Sequence, residues 1–248
     1  MEKEKIMSEE KTQKLTAEAM AKLHHVSTAT LTTQLINKGF QNTFLPLTAL
    51  SPQKRMVGYA FTMRYVPVRE DLTDTQYNNT VNVQRLAVET IGPDEVMVID
   101  ARGDIRAASF GHILATRIQA RGAAGLVTDG ALRDTEGFRE LGLPTYIKAA
   151  HATTSFVIHH PLEMNIPIAC SGVLVMPGDV IVGDSEGVVA MPAHVAEAVA
   201  HDGYEQEIRE EFFAEKVAAG SPILGVYPPN EETEAEYKIW RAARVEVI

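Results

Sequence analysis

A chain of 248 residues with 45% hydrophobic and 23% charged residues is long enough for a sizeable core and ordinary for a globular protein. Its net charge of -10 excludes a general nucleic-acid-binding face, and no apolar run approaches the roughly 20 residues that span a bilayer. The single cysteine, Cys170, excludes an intrachain disulfide and a thiolate metal cage, and MEKEKIMSEEKTQK lacks the apolar stretch of a secretory signal, so a cytoplasmic location is expected.

Residues 1–15 read as a solvated tail. From Thr16, the spacing of Met20, Leu23 and Val26 predicts a first helix, and Ser27-Thr28 caps a second through Leu31, Leu35 and Ile36, ended by Gly39. Val57 to Val66 alternates loosely and predicts a strand closed by Pro67. A helical pattern over 78–91 uses Val81, Leu86 and Val88. After the Gly92-Pro93-Asp94 turn, the continuous apolar run Val96–Ile99 predicts a strand buried on both faces. A helix over Gly111–Ala120, a Gly122 cap and a second buried strand at Gly125–Thr128 complete a βαβ unit, and so imply a partly parallel sheet. Short strands are expected at Thr145–Ile147 and Pro167–Cys170. Turn residues at Pro177-Gly178-Asp179 and Gly183–Gly187 break Val173–Met191 into antiparallel strands. A long helix over 193–219 ends at Gly220, and a last one covers 231–243. The sum is a single mixed α/β domain with helical ends, without an internal repeat.

The most suggestive chemistry is Arg133-Asp134. It follows a predicted buried strand, and ligands of open α/β sheets gather outside the strands' carboxyl ends. On a loop there, Asp134 can hold a hard divalent ion and Arg133 can fork onto a carboxylate. Spacing alone is equally compatible with a solvated turn. Gly111 opens a helix whose first amides could receive an anion, or it is an ordinary helix entry. Gly183-Asp-Ser-Glu-Gly187 reads as a hairpin turn. The pairs His24-His25 and His159-His160 diverge in any regular structure, and neither HExxH, GxGxxG nor a P-loop occurs. Cys170 reads as a small buried apolar residue.

Taken together, Val98-Ile-Asp100, Gly111-x-Ile-Leu-Ala-Thr116, Ala120-Arg-Gly-Ala-Ala-Gly-Leu-Val-Thr-Asp-Gly130, Arg133-Asp134 and Gly183-Asp-Ser-Glu-Gly-Val-Val189 resemble the RraA-like family. Its members include 4-hydroxy-4-methyl-2-oxoglutarate/4-carboxy-4-hydroxy-2-oxoadipate aldolases and regulators of ribonuclease E activity. The likeness covers about residues 25–225. The longer segment around 69–85 and the tail near Trp240 look like the long branch labelled ribonuclease activity regulator.

The resemblance implies a swivelling β/β/α-type domain over 16–225, a C-terminal extension over 226–248, and a trimer or dimer of trimers with sites between subunits. It implies that Asp134 ligates Mg²⁺ or Mn²⁺ and that Arg133 binds substrate. The amides of Ile113 and Leu114, made approachable by Gly111, would receive the substrate carboxylate. A glutamate of the neighbour's C-terminal helix, Glu207 or Glu210, would position water. His112 departs from the family, whose catalytic members often carry an acid there; a histidine could ligate directly or act as an acid or base near neutral pH. The implied activity is a divalent-metal-dependent lyase, a class II pyruvate aldolase and/or oxaloacetate decarboxylase. It would cleave a C–C bond of a small 2-oxo acid through a metal-stabilised pyruvate enolate. The rivals are a metal-dependent dehydratase of a sugar-derived acid, a Schiff-base aldolase on Lys148, and a non-enzymatic partner of a ribonuclease.

Overall fold

The computed structural model describes residues 14–51, 54–72, 78 and 80–244. Most of the expected 1–15 tail, and positions 73–77 and 79 of the longer segment around 69–85, lie outside them. The chain enters through α1 (Ala17–Leu23), where Thr16 Oγ1 accepts from the Ala19 amide, and α2 (Thr28–Asn37), where Ser27 Oγ accepts from Thr30. Both are hydroxyl caps of the expected kind. Gly39 follows α2 at a φ of 91°, where glycine has no Cβ to strain.

Two short strands, β1 (Phe44–Leu45) and β2 (Thr48–Ala49), precede the long β3 (Met56–Pro67). Helix α3 (Val83–Thr90) starts later than the expected 78–91. Asn82 Oδ1 accepts from the Arg85 amide and caps it there, leaving Val81 in the preceding turn. Then come β4 (Glu95–Asp100), β5 (Ala108–Phe110), α4 (His112–Ala120), β6 (Gly125–Leu132), α5 (Thr135–Leu141) and β7 (Thr145–Ala150). Neither β5 nor α5 is anticipated: three residues carry no period, and α5 buries only Phe138. Strand β6 also runs past the expected Thr128, because β5 takes over from β4 as its neighbour at Ala131 and Leu132. The remainder is β8 (His159–Met164), β9 (Ile168–Cys170), β10 (Val173–Val175), β11 (Val180–Gly183), β12 (Val188–Met191), α6 (Ala193–Ala218) and α7 (Glu231–Ala242).

Ten strands form one mixed sheet among the described residues, in the order β1-β12-β11-β3-β4-β6-β7-β2, with β5 beside β6 and β8 beside β3. The neighbours β3, β4, β6 and β7 are parallel, and the flanking pairs are antiparallel. This is the mixed α/β architecture expected, and β9–β10 forms a separate hairpin.

Strand alternation sorts the core. Phe61, Met63, Met97, Ile99 and Leu126 face α3, α4 and α5, while Val57, Tyr59, Val180 and Val182 continue that face under α1, α2 and α6. The opposite face carries Ala60, Val96, Val98, Val127 and Tyr146 and packs against the β9–β10 hairpin. Cys170 is buried there, as expected, and burial raises its thiol pKa. Helix α7 folds back on the end of α6 through Phe212, Phe213, Tyr237 and Trp240. The Gly183–Gly187 turn is a structural hairpin: Asp184 accepts from the Thr28 amide at 2.7 Å and the Thr28 hydroxyl at 2.8 Å, locking the start of α2.

Asp179, in the turn before β11, accepts from the Met176 amide at 2.8 Å, but burial dominates and pushes its carboxyl up to about 6. The folded chain therefore holds this proton more tightly than the unfolded chain. Stability is lost as pH rises from the ordinary carboxyl value of 3.8 to about 6. Asp179→Asn is expected to raise the melting temperature at pH 7 and to lose that advantage below pH 4, read by thermal denaturation across this range.

Candidate active site

Strand β6 delivers Arg133 and Asp134 to a junction that is more constrained than the expected loop. Asp134 occupies the left-handed region (φ 60°, ψ 38°) at the N-cap position of α5, without a capping bond from its side chain. Roughly 1–2 kcal/mol is the usual penalty for that conformation in an L-residue, and the short polar side chain of aspartate is among those that tolerate it best. The Arg133 amide donates to the Phe110 carbonyl at 3.2 Å, so the end of β6 is tied to the end of β5 and the starts of α4 and α5 are brought side by side.

Helix α4 begins without a side-chain cap. Gly111 is extended there (φ -135°, ψ 165°), and a Cβ on it would lie 3.2 Å from Asp134 Oδ2. The His112 amide donates to that same oxygen at 3.4 Å, and Arg133 Nε donates to it at 3.3 Å. The first bond within the helix runs from the Ala115 amide to the Gly111 carbonyl, so the amides of His112, Ile113 and Leu114 all precede it. Gly111, His112, Arg133 and Asp134 thus form one corner. It is open: the side chains of Arg133 and Asp134 are 44% and 47% exposed, and Ile113 is 80% exposed beside them.

The His112 ring lies against α5. A Cβ on Gly137 would stand 2.7 Å from it, and Phe138 meets it edge-on with centroids 6.4 Å apart. Thr116 Oγ1 lies 3.4 Å from His112 Nε2. Sequence reasoning does not single out Thr116, Gly137 or Phe138 for this corner; the one available signal is a glycine inside the helical TEGFREL stretch, where close packing is the usual reason to keep one.

Glu207 and Glu210 do not join this corner in the same chain. Both sit on α6 in the α1–α2 layer. Glu207 accepts from the Ser27 amide at 2.9 Å and the Ser27 hydroxyl at 2.6 Å, and Glu210 accepts from Gln206 at 2.8 Å. Lys148 points to the sheet's other face, with Nζ on the Gly103 carbonyl at 3.2 Å. Of the histidine pairs, His159 is buried against Tyr65 and Arg102, and burial lowers its pKa.

Among the described residues no group of three or more His, Cys, Asp or Glu side chains is placed to hold a metal ion. Asp134 offers one hard carboxylate in an open corner. That donor set suits a small divalent ion that keeps several waters and shares its remaining positions with substrate oxygens. The residues fit such an ion in that sense.

Comparison with known proteins identifies the family. A 4-hydroxy-4-methyl-2-oxoglutarate aldolase of Thermus thermophilus is 33% identical over 108 residues, which are 44% of this chain and 65% of that one. A Halalkalibacterium halodurans protein given the same name provisionally is 34% identical over 125 residues, 50% of this chain and 59% of its own. The chain therefore spans about three fifths of these relatives' length. The crystal structure of Streptomyces coelicolor RraAS2, described as an unusual member of the RNase ES inhibitor RraA protein family, superposes with a TM-score of 0.72. It is 30% identical, over 81% of this chain and 97% of that one. The RraA-like family pattern, described as Aldolase/RraA, matches residues 26–190, which hold the whole Gly111–Asp134 corner, and the chain belongs to that family.

Proposed function

We propose that the Gly111–Asp134 corner is the catalytic centre of a divalent-metal-dependent lyase that cleaves a C–C bond of a small 2-oxo acid. The observation that carries this reading is the convergence of the Asp134 carboxylate, the Arg133 guanidinium and the uncapped start of α4 on one point. A divalent ion held by Asp134, Mg²⁺ or Mn²⁺, would polarise the 2-oxo group as a Lewis acid. The chain's own groups supply the rest. Arg133 forks onto the substrate carboxylate, and the amides of Ile113 and Leu114 receive its second oxygen. The bareness of Gly111 lets that carboxylate reach the backbone. His112, held against Gly137 and Phe138 with Nε2 beside Thr116, stands where it can hold or pass a proton.

One chain leaves this corner open to water, and a bulky apolar side chain at 80% exposure on its rim calls for a cover. A second copy of the chain, in a trimer or dimer of trimers, is the proposed cover, and it brings a glutamate of its α6 to position water. Glu210 is the better placed of the two candidates, because the Glu207 carboxylate already satisfies two donors of Ser27. A second reading, docking on a ribonuclease, is favoured by the regulator described at 30% identity. It has no use for the Arg133–Asp134 pair.

Asp134→Ala should lower metal-dependent release of pyruvate from 4-hydroxy-4-methyl-2-oxoglutarate or oxaloacetate more than about 100-fold, with the fold intact by circular dichroism. Undiminished activity in this variant would remove the assignment, and loss of water rather than carbon from a sugar acid would move it to dehydration. Wild-type protein inactive on all these substrates, with Asp134→Ala still retained by a ribonuclease column, would favour the regulator.

Glu210→Ala and Arg133→Ala, each inactive alone, should regain part of the activity when the two variants are unfolded together and reassembled, since mixed oligomers contain some intact sites. Steady-state rates of the mixture that stay at the level of the separate variants would show that both residues act within one chain, and full activity of Glu210→Ala alone would show that Glu210 does not act.

A further inference from the structure

On the face of the sheet away from α4 and α5, three charged residues lie in one row. The parallel register sets Ile99 beside Thr128 and Thr128 beside Ile147, and just beyond these positions, where β6 departs from regular pairing with β7, Asp100, Asp129 and Lys148 come to one cavity. Alternation gives them the facing of Val98, Val127 and Tyr146, toward the β9–β10 hairpin. They line a cavity of about 570 Å³, whose wall also includes Arg102, Gly103 and Ser171 and neither Arg133 nor Asp134. A cavity of that size at the carboxyl ends of adjacent parallel strands has the volume and place of a small-molecule site.

The wall is built around a buried charge. Asp129, only 3% exposed, accepts from the amides of Ala101 at 2.7 Å, Gly103 at 2.9 Å and Ser171 at 3.2 Å. Those three bonds hold two turns in the left-handed region, Arg102-Gly103 (φ 62° and 63°) and Ser171-Gly172 (φ 50° and 78°). Arg102 and Ser171 are not glycines, and such strain persists where the surroundings enforce it, most often at ligand sites. The groups left for a ligand are of two kinds. Lys148 donates once, to the Gly103 carbonyl, and its ammonium has three donors. Asp100 Oδ1 accepts from the Arg102 amide at 2.8 Å, but Oδ2 has only a long contact of 3.4 Å from Ala169. A cation and an under-used carboxylate in one cavity complement a molecule that carries an anion and a hydroxyl.

We propose that this cavity binds a small hydroxy acid, with its carboxylate on Lys148 and a hydroxyl donated to Asp100. Since the wall excludes Arg133 and Asp134, the binding is independent of the lyase assignment. D-Glycerate is a suitable probe, titrated calorimetrically into the full-length protein. Binding should persist in Asp134→Ala, weaken about tenfold or more in Lys148→Met, and recover in Lys148→Arg, in line with the loss of one charged hydrogen bond. Propionate, which lacks both hydroxyls of glycerate, should bind more weakly than glycerate to wild type, and the two should bind equally to Asp100→Ala, which has no side-chain acceptor. Lys148 is exposed, so its variants test binding rather than folding. Absence of glycerate binding to wild type would overturn the proposal. So would binding lost in Asp134→Ala and kept in Lys148→Met, and equal binding of propionate and glycerate by wild type would remove the hydroxy-acid assignment.

Discussion

Strand β6 is buried at all eight of its positions, and the chemistry of the molecule depends on where its polar residues escape that burial. A strand covered on both faces has no solvated side to which a charge can be turned. Charge can appear only where the strand ends or where the backbone itself compensates. Arg133 and Asp134 take the first route, one step beyond Leu132. Asp129 takes the second, with three backbone amides around a carboxylate whose pKa burial still raises. Two chemically different places therefore share one strand and lie on opposite sides of the sheet.

The two places are built by the same device. In each, an aspartate supplied by β6 or its end accepts from the backbone of another segment, from one amide at Asp134 and from three at Asp129. Asp134 takes the first amide of α4, and Asp129 takes those of the turns after β4 and β9. A carboxylate hydrogen-bonded to several amides orders chain that would otherwise be a loose connection, and each such bond is stronger than one between neutral groups. Behind the first place, the Ser109 hydroxyl donates to the Ala131 carbonyl at 3.0 Å, and the Tyr65 hydroxyl donates to the Ser109 carbonyl at 2.6 Å. These bonds tie β5 to β6 and to β3 in the interior, so the Gly111 helix entry is carried by a rigid base rather than by a free loop.

Much of this was legible because it rests on local rules. The hydroxyl caps at Thr16 and Ser27, Gly39 and Gly122 after their helices, and the apolar run Val96–Ile99 each follow from one short segment. Gly111 and Arg133-Asp134 could be singled out, but their meeting could not, since it depends on β5, a strand too short to show a period. The row Asp100–Asp129–Lys148 was hidden for a related reason. Its members are far apart in sequence, and only the side-by-side packing of β4, β6 and β7 brings them to one cavity. The expected strand stops at Thr128, because a polar residue and a glycine, Asp129-Gly130, interrupt the apolar run. In the fold both remain in the strand, and Gly130 is needed because a Cβ there would come within 2.6 Å of Ala101.

His112 shows how one residue type changes what the corner can do. An acid at the start of α4 would place a second negative charge beside Asp134 and would favour binding of a cation. Histidine brings no fixed negative charge, and its ring is turned onto Gly137 and Phe138, with Nε2 near the Thr116 hydroxyl. Arg133 already neutralises part of the Asp134 carboxylate from 3.3 Å. The corner of a single chain is therefore less negative than one with two acids, which suits an anionic substrate approaching a chain of net charge -10. It also leaves any cation there more dependent on the substrate's own oxygens. Under the proposed lyase reading, a histidine here would favour the anionic substrate and weaken the hold on free metal.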